Sequence, residues 1–366
     1  MSPSALRRQI GQLLIAGFDG RQLPVELKAL AREFGLGGVI LFARNVEEPE
    51  QIAELAAEAA DLTPEAPAWV SVDQEGGRVA RLAHPFTKWP PMATLGRSGD
   101  AGLAVRFARA LASELRAVGI TLDYAPVLDI HTNPDNPVIG DRALGERAEQ
   151  VARLGAAIVH TLQQEGIAAC GKHFPGHGDT LADSHHELPV VEHPLERLRQ
   201  VELVPFRAAI DARVATIMTA HVFMPALDEA RPATLSPRIV TGLLREELGY
   251  EGLILSDDLE MKAIAGAHAV PAAAVMAVEA GCDGVLVCSG DTARQAATLE
   301  ALVYAFEQGR IGRSRVEDAL ARQARAKARF CAAPAAGARA LRGAALRAAI
   351  GRDEHQAIAG EMARFL

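Results

Sequence analysis

The sequence predicts an α/β chain closed into a single (β/α)8, TIM-type barrel with a C-terminal helical extension, on three observations. Eight short apolar runs recur along the 366 residues, and most are followed by a stretch with helical periodicity. No GxGxxG motif follows the first run, and no sharp break in composition divides the chain. An open doubly wound sheet is the alternative architecture, and the missing glycine fingerprint argues against it.

The runs are QLLIAGF (12–18), GGVILFA (37–43), AWVSVD (68–73), LDYAPVLD (122–129), IAACGKHF (167–174), ATIMTAHV (215–222), GLILSD (252–257) and GVLVCS (284–289). They are apolar almost without interruption, the pattern of parallel strands buried on both faces. Between them lie stretches such as EPEQIAELAAEAADL and GLAVRFARALASELRAVG, where apolar residues return at helical spacing. Eight such strands suit a closed barrel of this length. The barrel is expected over residues 1–312. From Arg313 to Leu366 the chain becomes Ala/Arg-rich, with eleven Arg/Lys against five Asp/Glu. This segment reads as a helical extension with solvated arginines, broken between its helices near Pro334 and Gly337.

Composition narrows the function. Apolar residues are 49% and charged residues 23%, as in a globular protein, and the net charge of −8 speaks against nucleic acid as a partner. No stretch approaches the roughly 18 apolar residues of a membrane span, and the N-terminal apolar run is too short for a secretory signal. The four cysteines are scattered, without a CxxC pair, so neither a zinc knuckle nor a disulfide framework is expected. These features together point to a cytoplasmic protein without membrane contact.

In a barrel, chemistry collects where the strands end. Strand three ends in VDQEGGRVAR, with Asp73, Arg78 and Arg81. Strand four ends near Asp129 and leads to a loop with Arg142. Strand five ends in Lys172 and His173, strand six at His221, and strand seven at SDDLEM with Asp257 and Asp258. Five consecutive strands ending in charged groups are costly to desolvate unless they serve a purpose. They imply a polar pocket of mixed sign, suited to a hydroxyl-rich ligand. The loop after strand five, KHFPGHGDTLADSHHELP (172–189), holds four of the eleven histidines.

VDQEGGRVAR, IGDRALG, KHFPGHGDTLADSHHELP, MTAHVFMPALD and GLILSDDLEM resemble the motif set of glycoside hydrolase family 3. The similarity is to its bacterial β-N-acetylglucosaminidase branch, of the NagZ type, and runs from about residue 10 to 310. The resemblance implies a retaining mechanism with Asp257 as nucleophile and a His185–Asp183 dyad as acid/base. A carboxylate bonded to one imidazole nitrogen fixes the tautomer and frees the other nitrogen for proton transfer. Asp258, one residue nearer the following helix, is read as that helix's N-cap. His177 and Asp179 are read as shaping the loop, and His186 as a solvent-facing rival to His185.

The same match implies that Asp73, Arg81, Arg142, Lys172 and His173 bind a non-reducing N-acetylglucosamine. Strand geometry alone lets at most one of Lys172 and His173 face the barrel axis. His221 is either a supporting pocket residue or a satisfied core histidine.

The implied activity is exo-acting β-N-acetylhexosaminidase, releasing N-acetylglucosamine from β-1,4-linked 1,6-anhydro-N-acetylmuramic acid muropeptides during peptidoglycan recycling. The only partner expected is that carbohydrate, bound by a monomer without cofactor or metal. A phosphorylase or a broader β-glycosidase of the same family remains an alternative. A metal-dependent barrel hydrolase is the rival of another class, although its usual HxH pair on an early strand is missing. A non-catalytic sugar-binding protein would not need Asp257 with the dyad.

Overall fold

Residues 3–63, 66–331 and 340–366 are described by a computed structural model. All eight apolar runs contain strands: β1 (Leu14–Ala16), β2 (Gly38–Leu41), β3 (Trp69–Val72), β4 (Leu122–Asp123), β5 (Ala168–Phe174), β6 (Thr216–Thr219), β7 (Leu253–Asp258) and β8 (Gly284–Val287). They close in sequence order into a barrel, with β8 pairing back onto β1 in parallel. The fold is the (β/α)8 barrel that the alternating runs predict.

The near-continuous apolar strands divide their side chains between two cores, because successive residues point to opposite faces. Ile15, Ile40, Trp69 and Leu286 fill the barrel interior. Their neighbours Leu14, Val39, Val70 and Val287 pack outward against the helices. Those helices include Val25–Phe34, Pro49–Ala60, Ala101–Ala117, Ala148–Gln164, Val270–Ala280 and Thr292–Glu307. The helix Ala101–Ala117 starts where the Asp100 side chain accepts from the Gly102 N–H, and Asp291 caps Thr292–Glu307 in the same manner through Arg294. Cys170, Cys282 and Cys288 are buried and free, and Cys331 is free at the edge of the core.

β4 is much shorter than expected. Pro126 has no N–H to give to a ladder, so the regular strand stops at Asp123. The chain continues to Asp129 through a single bridge between Val127 and Lys172.

The chain beyond residue 312 holds three described helices, Arg313–Phe330, Gly343–Ala349 and Asp353–Ala363. The expected break at Pro334 and Gly337 lies outside the described residues. The first of these helices seals the barrel floor. Phe330 enters the interior core, and Gln323 accepts from the Trp69 indole N–H at 2.9 Å while donating to the Asp283 carbonyl. Most of its described arginines are exposed, as composition implies; Arg315, paired with the buried Asp283, and Arg322, paired with Asp318, are the covered exceptions.

The last two helices dock beside the loop that follows β3. Buried Glu114, on helix Ala101–Ala117, accepts from the Thr87 N–H and hydroxyl of that loop. It also accepts from the Gly351 N–H and bonds to His355 Nδ1 on the C-terminal segment. Glu114→Ala leaves these buried donors without an acceptor. The variant is expected to lose about 3–5 kcal/mol of unfolding free energy, measured by urea titration, and a loss below about 1 kcal/mol would refute the clamp.

Candidate active site

The carboxyl ends of the strands surround a cavity of about 340 Å³. Asp73, Arg81, Arg142, Lys172, His173, His185 and Asp257 all line it. The cavity is thus built from residues more than 180 positions apart in sequence, brought together by the barrel closure.

Its deepest charges form a network centred on Glu75. Arg142 grips Glu75 with both arms of its guanidinium, Nε to Oε2 at 2.9 Å and Nη2 to Oε1 at 2.8 Å. Lys172 Nζ lies 2.6 Å from Glu75 Oε1 and 2.7 Å from Asp73 Oδ1. Arg81 approaches the other oxygen of Asp73 at 3.6 Å. The side chain of Glu75 is only 1% exposed. Burial pushes its carboxyl up, but Arg142 and Lys172 together pull harder and hold it well below the usual range. Burial likewise opposes the charge on Lys172, and Asp73 and Glu75 overcome it and raise its ammonium pKa.

Lys172 and His173 both reach the cavity, contrary to the expectation from strand alternation. The β5–β6 register shifts between Gly171 and Phe174, and such an irregularity turns consecutive side chains toward the same space. His173 is oriented by Asp129, whose Oδ2 accepts from its Nδ1 at 2.7 Å and from its backbone N–H. Nε2 is thereby left for the cavity. Asp129 itself is destabilised by burial, and the His173 contact chiefly outweighs this, lowering its carboxyl pKa.

The histidine-rich loop is anchored from within. Asp129 Oδ1 accepts from the His177 N–H at 2.7 Å. The His177 ring bonds to Thr180 Oγ1 at 2.8 Å and to Ser184 Oγ at 3.1 Å. Burial pushes this imidazole down to about 4, so it stays neutral at physiological pH. Asp179 holds Thr132 and His193. Gly178 lies so close to the chain after β4 that a Cβ there would sit 1.7 Å from the Ile130 carbonyl oxygen.

Ser184 is also fixed through its carbonyl, which accepts from the Ala263 N–H. The next residue, His185, is by contrast 61% exposed at its side chain. Its Nδ1 is 2.7 Å from Asp183 Oδ1, which also accepts the His185 backbone N–H at 2.8 Å. Burial works against the Asp183 charge, yet the His185 contacts prevail and lower its carboxyl pKa. His186 is exposed beside it and has no place in the cavity lining.

Asp257 lies near the end of β7 and accepts the Asp258 N–H at 2.8 Å. Burial raises its pKa, while the His221 and His173 rings, the Asp258 N–H and the permanently charged Lys172 lower it further. The net direction is down, so Asp257 is a carboxylate at neutral pH. Among the described residues, no group of three or more His, Cys, Asp or Glu is placed to hold a metal ion.

A family model for the glycosyl hydrolase family 3 N terminal domain matches residues 5–326. The chain belongs to glycoside hydrolase family 3. It is 43% identical over 260 residues to a beta-hexosaminidase of Thiobacillus denitrificans, covering 69% of this chain and 72% of that one. It is 43% identical over 281 residues to the beta-hexosaminidase of Bordetella pertussis, covering 75% and 79%.

Among solved structures, a family 3 β-N-acetylglucosaminidase from a Paenibacillus species superposes with a TM-score of 0.91 at 43% identity, over 100% of this chain and 69% of that one. NagZ from Neisseria gonorrhoeae in complex with N-trifluoroacetyl-D-glucosamine gives 0.78 at 34% identity, over 96% and 97%. The NagZ-type likeness read from the motifs is therefore shared by the fold.

Within this family 3 site, one open alternative is decided and one sequence-based reading is corrected. His221 does not line the cavity. It is buried, its Nε2 donates to the Asp258 carbonyl at 2.9 Å, and its Nδ1 lies 2.8 Å from Thr234 Oγ1. It is a satisfied core histidine, supporting β7 from beneath. Asp258 does not cap the helix Lys262–Ala265, whose N-cap residue is Met261; it lines the cavity instead.

Glu75 is the central residue that sequence reasoning overlooked. Its signal was the Asp-x-Glu spacing at the end of β3, which puts Asp73 and Glu75 on one side of an extended chain.

Because the folded Glu75 pKa is depressed, its stabilisation is present above the ordinary glutamate value of about 4.5 and is lost as pH falls below it. Glu75→Gln is expected to unfold about 3–5 kcal/mol more readily than wild type at pH 7. Urea titrations repeated at pH 3 should show a narrower gap. An equal gap at both pH values would mean that charge is not its source.

Proposed function

We propose that the chain is an exo-acting, retaining β-N-acetylglucosaminidase that works through a covalent glycosyl-enzyme on Asp257. The coarser statement needs no proposal: as a family 3 glycoside hydrolase with β-hexosaminidase relatives, the chain is a β-N-acetylhexosaminidase. The observation that carries the finer reading is the shared cavity. A carboxylate at the end of a rigid strand and a carboxylate-oriented histidine on a loop line the same space as a set of sugar-sized polar groups.

In this reading Asp257 attacks the anomeric carbon while His185 Nε2 gives its proton to the departing glycosidic oxygen. Asp183 holds Nδ1 and so fixes the orientation of the ring, with Nε2 free for proton transfer. In the second step His185 accepts a proton from water as the water attacks the same carbon, and Asp257 leaves as a carboxylate. Asp73 accepts from sugar hydroxyls, Lys172 and Arg81 donate to sugar oxygens, and His173 Nε2, with the ring proton committed to Asp129 through Nδ1, accepts from a sugar hydroxyl. Arg142 acts mainly by holding Glu75, which in turn holds Lys172 in place.

A cavity of about 340 Å³ is at the small end of ligand sites, which run from about 300 to 1,000 Å³. It suits one terminal sugar with the rest of the substrate outside, as exo action requires. The substrate assigned is N-acetylglucosamine β-1,4-linked to 1,6-anhydro-N-acetylmuramic acid, with its peptide, cleaved by a cytoplasmic monomer in peptidoglycan recycling. This assignment rests on the likeness to NagZ from Neisseria gonorrhoeae. Among the described residues, no helix is long and apolar enough to cross a membrane.

The test separates the two catalytic roles. Asp257→Ala should abolish nearly all turnover, and a mechanism-based fluorosugar should label the wild-type peptide containing Asp257. His185→Ala should lose about 10²–10⁴-fold on a natural disaccharide, but far less in the first step with an activated nitrophenyl leaving group. Equal losses on both substrates would remove His185 from the acid role. Label on another residue would remove Asp257 from the nucleophile role.

A further inference from the structure

We propose that Asp258 is a second working carboxyl of the cavity, donating a hydrogen bond to the bound sugar from its uncharged form, so that its ionisation ends activity on the alkaline side. The inference rests on the reading of Asp257 as nucleophile and of the cavity as the sugar site.

The first ground is position. Neighbours on a regular strand face opposite sides of a sheet, yet Asp257 and Asp258 both line the cavity. The β7–β8 register shifts between Leu255 and Asp258, the kind of irregularity that redirects a side chain. The second ground is partnership. Asp258 Oδ1 accepts from the Glu260 N–H at 3.1 Å and the Cys288 N–H at 3.3 Å. Among the described residues Oδ2 has no hydrogen-bond partner, and no cation lies within ion-pair distance of the carboxyl.

The surroundings are hostile to a second negative charge. Asp257 precedes it on β7. Glu260 is on the adjoining turn, its own charge taken up by Arg294 and by the Ser289 N–H and hydroxyl. Just beyond β6, His221 is bonded to the Asp258 carbonyl, and burial lowers its imidazole pKa. Just beyond β8 comes Cys288, a thiol that burial raises well above its ordinary value. The cations around it are engaged elsewhere: Arg294 with Glu260, Lys172 with Asp73 and Glu75, and Arg44 with Asp19 and the Cys288 carbonyl. Burial first, then Glu260 and Asp257, push the Asp258 carboxyl up to about 7 against the two N–H donors.

Such a group is a neutral acid below neutrality. It can donate through Oδ2–H to a sugar oxygen, which an ionised carboxylate cannot do. Above neutrality it loses that donor and adds charge beside Asp257.

The experiment is the pH profile of kcat/KM on 4-nitrophenyl N-acetyl-β-D-glucosaminide. This leaving group needs little protonation, so His185 contributes little to the alkaline limb. Wild type should fall about tenfold from its plateau by one pH unit above the Asp258 value, as a single titrating group requires. Asp258→Asn keeps a donor that does not titrate. The variant's profile, whatever the height of its plateau, should remain flat to about pH 8.5. The limb should persist in His185→Ala.

Calorimetry of N-acetylglucosamine binding at pH 8, in buffers of different ionisation enthalpy, gives a second reading on unaltered protein: about one proton should be taken up. A flat wild-type profile, an unchanged limb in Asp258→Asn, loss of the limb in His185→Ala, or no proton uptake by wild type would each overturn the proposal. If the glycoside is not cleaved at all, the functional reading beneath it fails too. If it is cleaved with a limb indifferent to Asp258→Asn, only this inference fails.

Discussion

The contact of Glu75 with Arg142 and Lys172 is the constraint on which the mouth of the barrel depends. Taking three charges out of water costs several kcal/mol for each ion, and only close, well-directed pairing returns it. Here the pairing is bidentate on one side and shared with Asp73 on the other. The loop after β3, the loop after β4 and the end of β5 are thereby tied to one carboxylate. None of the three can shift without unpairing a buried charge, so the sugar-facing groups keep their spacing before any ligand arrives. That preorganisation lowers the cost of binding a flexible, well-hydrated sugar.

A second division of labour separates the two reacting groups. Asp257 belongs to a strand whose upstream residues are wholly buried. His185 stands on an exposed loop that is anchored immediately before it through Ser184 and His177. The rigid part holds the group that forms a bond to carbon. The more exposed part holds the group that must meet both the departing sugar and the incoming water.

Much of this was legible in the residue pattern. Eight apolar runs were enough for the barrel, because strands buried on both faces leave a near-continuous apolar signature. The cavity-lining residues near the strand ends were legible because polar groups there have few structural reasons to be present, whereas His185 was indicated only by the family resemblance. What stayed hidden depended on local departures from regular geometry. Pro126 cut β4 short, and no sequence period announces where a ladder ends. His221 looked like a pocket group by position, but Thr234 and the Asp258 carbonyl, both distant in sequence, claim its two nitrogens. Glu75 was masked by its more familiar neighbours. The role of Gln323 as a floor group could not be read from a stretch whose composition suggested only a solvated helix.

The shifted registers of β5 and β7 carry a wider consequence. A regular parallel strand advances about 3.3 Å per residue and offers only every second side chain to the inside, so alternate strands supply about four groups to each layer of the barrel. Each irregularity doubles the local supply, placing an ammonium and an imidazole together at one station and two carboxyls at the next but one. The catalytic density of the mouth is thus greater than the strand count permits. An engineer wishing to add a functional group to such a barrel has an alternative to lengthening a loop: insert a bulge at a strand's last turn of pleat.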